Sequence, residues 1–169
     1  MTVSYANRGE AFETLIIRSN ITYDVKGWAQ VEKTDPAIRI TQERGNKIIG
    51  YKKAKGFVDF FGISNGRALA FEAKTTKNRT SFPLQNIKAH QMETLKKWRD
   101  QGAHSFFLIQ FEKHFEVYLL TIDQASQWWT HSLAGGRKSI PYEWFRVNCD
   151  IVKPKRGVLL DYLGCLQLP

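Results

Sequence analysis

The dipeptide Asn65-Gly66 constrains the fold of this chain more than any other feature. Both residues accept positive φ, and a two-residue turn of this kind closes an antiparallel hairpin whose twist matches its strands. It lies between Asp59-Phe60-Phe61-Gly62-Ile63 and Arg67-Ala68-Leu69-Ala70-Phe71, so these two runs are predicted to pair. Side chains alternate between the faces of a strand. Leu69, Phe71 and Ala73 therefore point one way, and Ala70, Glu72 and Lys74 the other.

That register brings Asp59, Glu72 and Lys74 to one end of two neighbouring strands, the arrangement of a metal-dependent nuclease. A carboxylate pair there is an oxygen site suited to Mg²⁺, which takes octahedral oxygen ligands and keeps several waters. A nearby ammonium orients or deprotonates a metal-bound water. The plainer alternative is a solvated ion pair between Glu72 and Lys74 on an exposed strand.

Downstream, a helix is predicted from Pro83 to near Gly102, with an apolar stripe of Leu84, Ile87, Leu95 and Trp98. Gln91 lies on that stripe, so a polar amide is aimed at the sheet, where it needs a partner. Active-site carboxylates, a metal-bound water and a backbone carbonyl all qualify. At the N-terminus, Asn7 and Glu10 read as an N-cap with its returning carboxylate, opening a helix through Ala11 to Ile17. Glu13 shares a face with Gly9, Ile16 and Ile17, where a poorly solvated carboxylate calls for a cation or a metal water.

Several of these segments together resemble a known family. Gly56-Phe57-Val58-Asp59-Phe60-Phe61-Gly62, Phe71-Glu72-Ala73-Lys74-Thr75-Thr76, Thr80-Ser81-Phe82-Pro83-Leu84 and His90-Gln91 look like the RecU-type Holliday-junction resolvases of Gram-positive bacteria and their phages. The likeness runs from Arg8-Gly9 through the strand Phe106 to Phe111. It implies a restriction-endonuclease-like α/β fold, a mixed central sheet flanked by helices with a protruding β stalk. It also implies a homodimer that nicks opposing strands of a four-way DNA junction in recombination and repair, using Mg²⁺ or Mn²⁺ and leaving 5′-phosphate ends. On the resemblance, Asp59, Glu72 and the Ala73 carbonyl match the metal ligands. Lys74 matches the catalytic lysine, Glu13 the helical glutamate and Gln91 the glutamine of the following helix. The stalk is expected in a single domain at about residues 28–56. The sequence departs from the bacterial pattern at Lys55-Gly56-Phe57-Val58 and at Thr76, which bears on DNA contacts and not on the carboxylates.

Whole-chain properties agree with this reading. The 169 residues, 43% of them hydrophobic, suffice for one domain with its own core and exclude disorder. The formal charge of +9 suits a polyanionic partner. Candidate phosphate contacts are Arg8, the Lys52-Lys53-Lys55 group, Thr75, Thr76, Lys77, Arg79 and the Lys153-Lys155-Arg156 group. Phe82 is either a wedge against a base pair or a hydrophobic plug at the helix start. Cys149 and Cys165 read as reduced core thiols. No run of about 20 apolar residues crosses a bilayer and no signal pattern opens the chain, so a cytoplasmic location is expected. Recombinase proteins are possible partners.

The remaining pattern predicts strands at Gly27 to Lys33, Ile38 to Thr41 and Lys47 to Tyr51 forming the stalk, with Gly45-Asn46 as a turn. A buried strand is predicted at Ser105 to Phe111, its partner at Phe115 to Leu120, a helix capped by Thr121, and a mobile basic loop at Gly135 to Lys138. Two rival functions are a duplex-cutting endonuclease and a non-catalytic protein that binds branched DNA.

Overall fold

The computed structural model describes residues 6–35, 38–45, 47–52 and 57–168. Helix α1 (Ala6–Val25) is followed by β1 (Gln30–Lys33) and a ribbon of β2 (Ile38–Arg44) and β3 (Lys47–Lys52). The hairpin of β4 (Phe60–Ser64) and β5 (Arg67–Thr76) comes next, then β6 (Ser81–Pro83), a 3-10 turn at Leu84–Asn86, and α2 (Ala89–Asp100). The chain continues through β7 (His104–Phe111), β8 (Glu116–Thr121), α3 (Ile122–Leu133), β9 (Ser139–Pro141), α4 (Tyr142–Asn148), β10 (Asp150–Ile151) and α5 (Tyr162–Cys165).

The central sheet runs β1-β4-β5-β7-β8-β10. Only β5 and β7 are parallel, joined by the crossover through α2, and the other neighbours are antiparallel. This is the mixed sheet flanked by helices expected from the sequence. The hairpin forms as predicted: Ser64 faces Arg67, and Asn65 and Gly66 take φ of 48° and 75°.

The sheet separates two cores. On one face Leu69, Phe71, Phe106 and Leu108 pack against Phe12, Ile16 and Tyr23 of α1 and against Tyr162 and Leu163. Phe60, Phe71 and Phe106 stack across three neighbouring strands at ring separations of 5.0 and 4.7 Å. On the other face Ala70, Phe107 and Ile109 pack against Met92 and Leu95 of α2 and against Ala125, Ile140 and Phe145. Burying both faces explains the nearly unbroken apolar run of β7.

Three elements differ from expectation. The helix after Pro83 starts only at Ala89, because Ser81-Phe82-Pro83 is taken into a small sheet with Ser139-Ile140-Pro141. β1 pairs with β4 as the edge of the central sheet rather than with the ribbon, so the separate two-stranded sheet spans only β2 and β3. At the N-terminus, α1 already runs at Ala6, which puts Asn7 inside the helix instead of at its cap. Asn46, of the predicted ribbon turn, lies outside the described residues. Helix α3 begins as predicted, with the Thr121 hydroxyl accepting from the Gln124 N–H at 3.2 Å.

Candidate active site

Asp59 sits one residue before β4 and is held at both its main chain and its side chain. The Thr34 N–H donates to its carbonyl at 2.9 Å, and the Ala73 N–H donates to its Oδ2 at 3.1 Å. The hairpin register that pairs Phe60 with Phe71 is what sets Asp59 beside Glu72 and Ala73. The ammonium of Lys74 lies 2.8 Å from Glu72 Oε2 and 3.5 Å from Asp59 Oδ2. One cation thus bridges two carboxylates.

Glu72 is 1% exposed. It shares its face with Ala70 and faces Phe107 in register on β7, so the carboxylate sits among apolar side chains. Gln91, also buried, donates its Nε2–H to Glu72 Oε2 at 2.5 Å. Its Oε1 accepts from the Lys88 N–H at 3.0 Å, which fixes the amide's orientation at the start of α2. Of the partners open to Gln91, the one it takes is the carboxylate. Burial, reinforced by the neighbouring Asp59 and only partly offset by Lys74, pushes the Glu72 carboxyl up to about 8.

A carboxylate whose ionisation is disfavoured by burial, and only partly relieved by Lys74, is a place where a further cation fits. Oxygen ligands from Asp59 and Glu72 suit a hard divalent ion that keeps most of its waters. Among the described residues no three His, Cys, Asp or Glu side chains gather closely enough to hold a metal.

Glu13 stands outside this bonded set and meets it through Lys33. It lies on α1, whose apolar residues pack on the opposite face of the sheet, and it pairs with Lys33 at 2.5 Å. Lys33 closes β1 beside Phe60 and feels Glu13, Asp35 and Asp59, all of which hold its ammonium pKa above the ordinary value. Sequence reasoning missed Lys33, because only the pairing of β1 with β4 carries it to the site. The signal in the sequence is the strand predicted at Gly27 to Lys33, which the pairing with β4 takes out of the expected stalk.

The candidate DNA contacts divide. Lys77 and Arg79 are exposed on the segment after β5, and Thr75 is half-buried just before it. Thr76 is buried, and its hydroxyl accepts from the Asn78 N–H at 3.2 Å, so it shapes the turn. Phe82 is fully buried and packs edge-on against Phe145, which makes it a core plug and not a wedge. Its place in the small sheet with β9 is the reason. Lys53 and Lys55 lie outside the described residues, as do the side chains of Arg8 and Lys52. In the C-terminal group, Arg156 grips the buried Asp161 at 2.6 Å and lies over the Trp28 ring. Both cysteines are free and half-buried, and burial pushes their thiols up to about 12 at Cys149 and about 11 at Cys165.

Comparison with known proteins adds an independent line. The family model described as "RecU: Recombination protein U" matches residues 7–168. The protein called Holliday junction resolvase RecU in Oceanobacillus iheyensis is 34% identical over 169 residues, covering 96% of this chain and 86% of its own. Its namesake in Staphylococcus epidermidis is 36% identical over 171 residues, with 98% and 82% covered. That of Levilactobacillus brevis is 37% identical over 145 residues, with 82% and 72% covered. Among solved structures, Archaeoglobus fulgidus Hjc, a Holliday junction resolvase, aligns over 82% of this chain and 92% of its own at 13% identity and a TM-score of 0.48. The match along nearly the whole length, at this identity to several curated members, means that the chain belongs to the RecU family.

Proposed function

We propose that this chain is a metal-dependent endodeoxyribonuclease that resolves four-way DNA junctions by paired nicks, serving recombination and repair. The observation that carries the reading is the bonded set of Asp59, Glu72, Lys74 and Gln91 in a member of a family whose curated relatives are named Holliday junction resolvases.

Asp59 and Glu72 are the side chains that would hold the ion, Mg²⁺ with Mn²⁺ as its substitute, and the Ala73 carbonyl would add a third oxygen. When bound, the ion supplies Lewis-acid polarisation of the phosphate and a water acidic enough to attack it. The protein's own groups do the positioning. Gln91 fixes the rotamer of Glu72 by bonding the same oxygen that receives Lys74. The Ala73 N–H holds Asp59 in place from across the strand pair. Lys74, less than one-fifth exposed, presents a fixed ammonium where negative charge grows on the pentacovalent phosphate and aligns the incoming water. Glu13 and Lys33 flank this set from the α1 side and orient water or a neighbouring phosphate oxygen.

Lys77 and Arg79, on the segment that leaves β5 just past Lys74, contact the phosphates flanking the scissile one. A homodimer with two such sites meets the two-fold symmetry of the junction and accounts for paired nicks. The products carry 5′-phosphates. No helix among the described residues is long and apolar enough to cross a membrane, in keeping with action on cytoplasmic DNA.

The reading is tested by offering the protein a synthetic four-way junction and a linear duplex of the same sequence, with Mg²⁺. Symmetric nicks confined to the junction are expected. Equal cutting of the duplex would point instead to a duplex endonuclease, and binding without cleavage in Mg²⁺ or Mn²⁺ to an architectural protein.

A further inference from the structure

We infer that Arg137 and Lys138 form a second phosphate-contact point, gripping the backbone of a DNA arm as it leaves the carboxylate site. The inference rests on the reading of the chain as a DNA-cleaving protein. It begins from a pairing that sequence order hides. Strand β9 places Ser139 opposite Pro83, and the Leu84 N–H donates to the Lys138 carbonyl at 3.1 Å. From there a short run of bonds leads to the site. Ile87 donates to the Leu84 carbonyl, the Lys88 N–H to Gln91 Oε1, and Gln91 to Glu72. The position of the Arg137-Lys138 pair is therefore fixed relative to the carboxylates.

The loop that bears the pair is built rather than slack, contrary to the mobile loop expected from its glycines. Main-chain N–H groups of Ala134, Gly135 and Gly136 close back on Thr130, Ser132 and His131 at 3.1, 3.2 and 2.9 Å. Gly136 lies so close to the His131 ring that a Cβ there would overlap it. Arg137 Nε donates to the Ser139 hydroxyl at 3.2 Å, which orients its guanidinium. Both basic side chains are exposed, and among the described residues neither is paired with a carboxylate, whereas Arg99, Arg146 and Arg156 each are.

The opposite end of the small β6·β9 sheet carries positive charge too. There the Tyr142 N–H donates to the Thr80 carbonyl at 2.9 Å, and His114 Nε2, in a ring stacked on Tyr142 at 4.0 Å, lies 2.9 Å from the Arg79 carbonyl. A three-residue ribbon thus has Arg79 beyond one end and Arg137-Lys138 at the other. Cations fixed at intervals on a rigid support match a phosphate backbone, whose charges also recur at intervals, and each phosphate neutralised releases condensed counterions.

The experiment is equilibrium binding of a fluorescent four-way junction and of a linear duplex arm, in EDTA to silence cleavage, across a salt titration. Each phosphate contact contributes about 0.9 to the slope of log affinity against log salt, so Arg137→Gln with Lys138→Gln is expected to flatten the slope by about 1.8. If the two contacts carry only counterion release, affinity at about 0.15 M salt falls about 30-fold. The charge-keeping pair Arg137→Lys with Lys138→Arg retains the wild-type slope, and Lys138→Gln alone, whose structural bond is made by its main chain, flattens it by about 0.9. A wild-type slope and affinity in the double glutamine variant, at an unchanged melting temperature, overturns the inference. Should wild type bind duplex and junction alike, the junction reading fails while the variant's slope still decides this one.

Discussion

Replacing Glu72 with glutamine isolates the charge of a carboxylate that is 1% exposed. The amide oxygen can stand where Oε2 accepts from both Lys74 and Gln91, so shape and bonds are kept and only the charge is lost. In the wild type, burial pushes this carboxyl up to about 8 from an ordinary 4.5. Because the folded value lies above the unfolded one, the contribution to stability is fully present below about pH 4.5 and is lost as pH rises through about 8. Each pH unit of difference is worth about 1.4 kcal/mol, which sets a ceiling of about 5 kcal/mol on the loss. For a chain of this length that ceiling corresponds to roughly 10–20 °C in melting temperature.

The assay is a pair of thermal melts, wild type and Glu72→Gln, both in EDTA, at steps from about pH 5 to about pH 9. Wild type should lose stability relative to the variant over this range, most steeply between about pH 5.5 and 7, and the difference should level off above about pH 8. Adding Mg²⁺ at pH 7 should stabilise wild type and release about one proton per site, read by calorimetry in buffers of different ionisation enthalpy. The variant should show neither effect at full size. Parallel stability curves for the two proteins would refute the reasoning, because a carboxylate whose ionisation costs nothing on folding is not desolvated in the way described.

The other predictions are simpler. Phe82→Ala opens a cavity beneath the small sheet and should cost about 3–5 kcal/mol, seen as a lower melting temperature; a mild effect on stability with a large loss of DNA affinity would restore the wedge reading. For Asp161, burial raises the carboxyl, but hydrogen bonds from Arg156, Tyr23 and Gly164 more than offset it and hold the group below its ordinary range. Its stabilisation is therefore present above about pH 4 and lost on further acidification, and Asp161→Asn should cost about 3 kcal/mol at neutral pH with the deficit shrinking in acid. With their thiols pushed far above neutrality, Cys149 and Cys165 should resist alkylation at pH 8 until the chain is unfolded; prompt labelling of the native protein would contradict their burial.

What could be read from the sequence was what short-range chemistry determines. The Asn65-Gly66 turn sets a register, and the register alone carries Asp59 to Glu72 and Lys74. The period of a helix pointed Gln91 at the sheet, even though the helix itself begins later than Pro83 suggested. What could not be read depended on contacts between distant segments. The β6·β9 pairing joins strands more than fifty residues apart and converts Phe82 from a candidate surface wedge into core. Lys33 reaches the site because β1 chooses β4 rather than the ribbon, a choice made by burial of Val31 and not by any turn signal. Glu13 is half-buried on α1, whose apolar residues pack on the face of the sheet opposite Glu72, and Lys33 supplies the cation that its spacing called for.

The central claim is that the set around Asp59 cuts DNA, and it is tested most directly by Asp59→Asn. The substitution keeps an oxygen able to accept from the Ala73 N–H and removes one of the two charges offered to a divalent ion. Wild type should nick a four-way junction symmetrically in Mg²⁺ and be silent in EDTA, while the variant binds the same junction with wild-type affinity and leaves it intact. Undiminished nicking by Asp59→Asn would contradict the account.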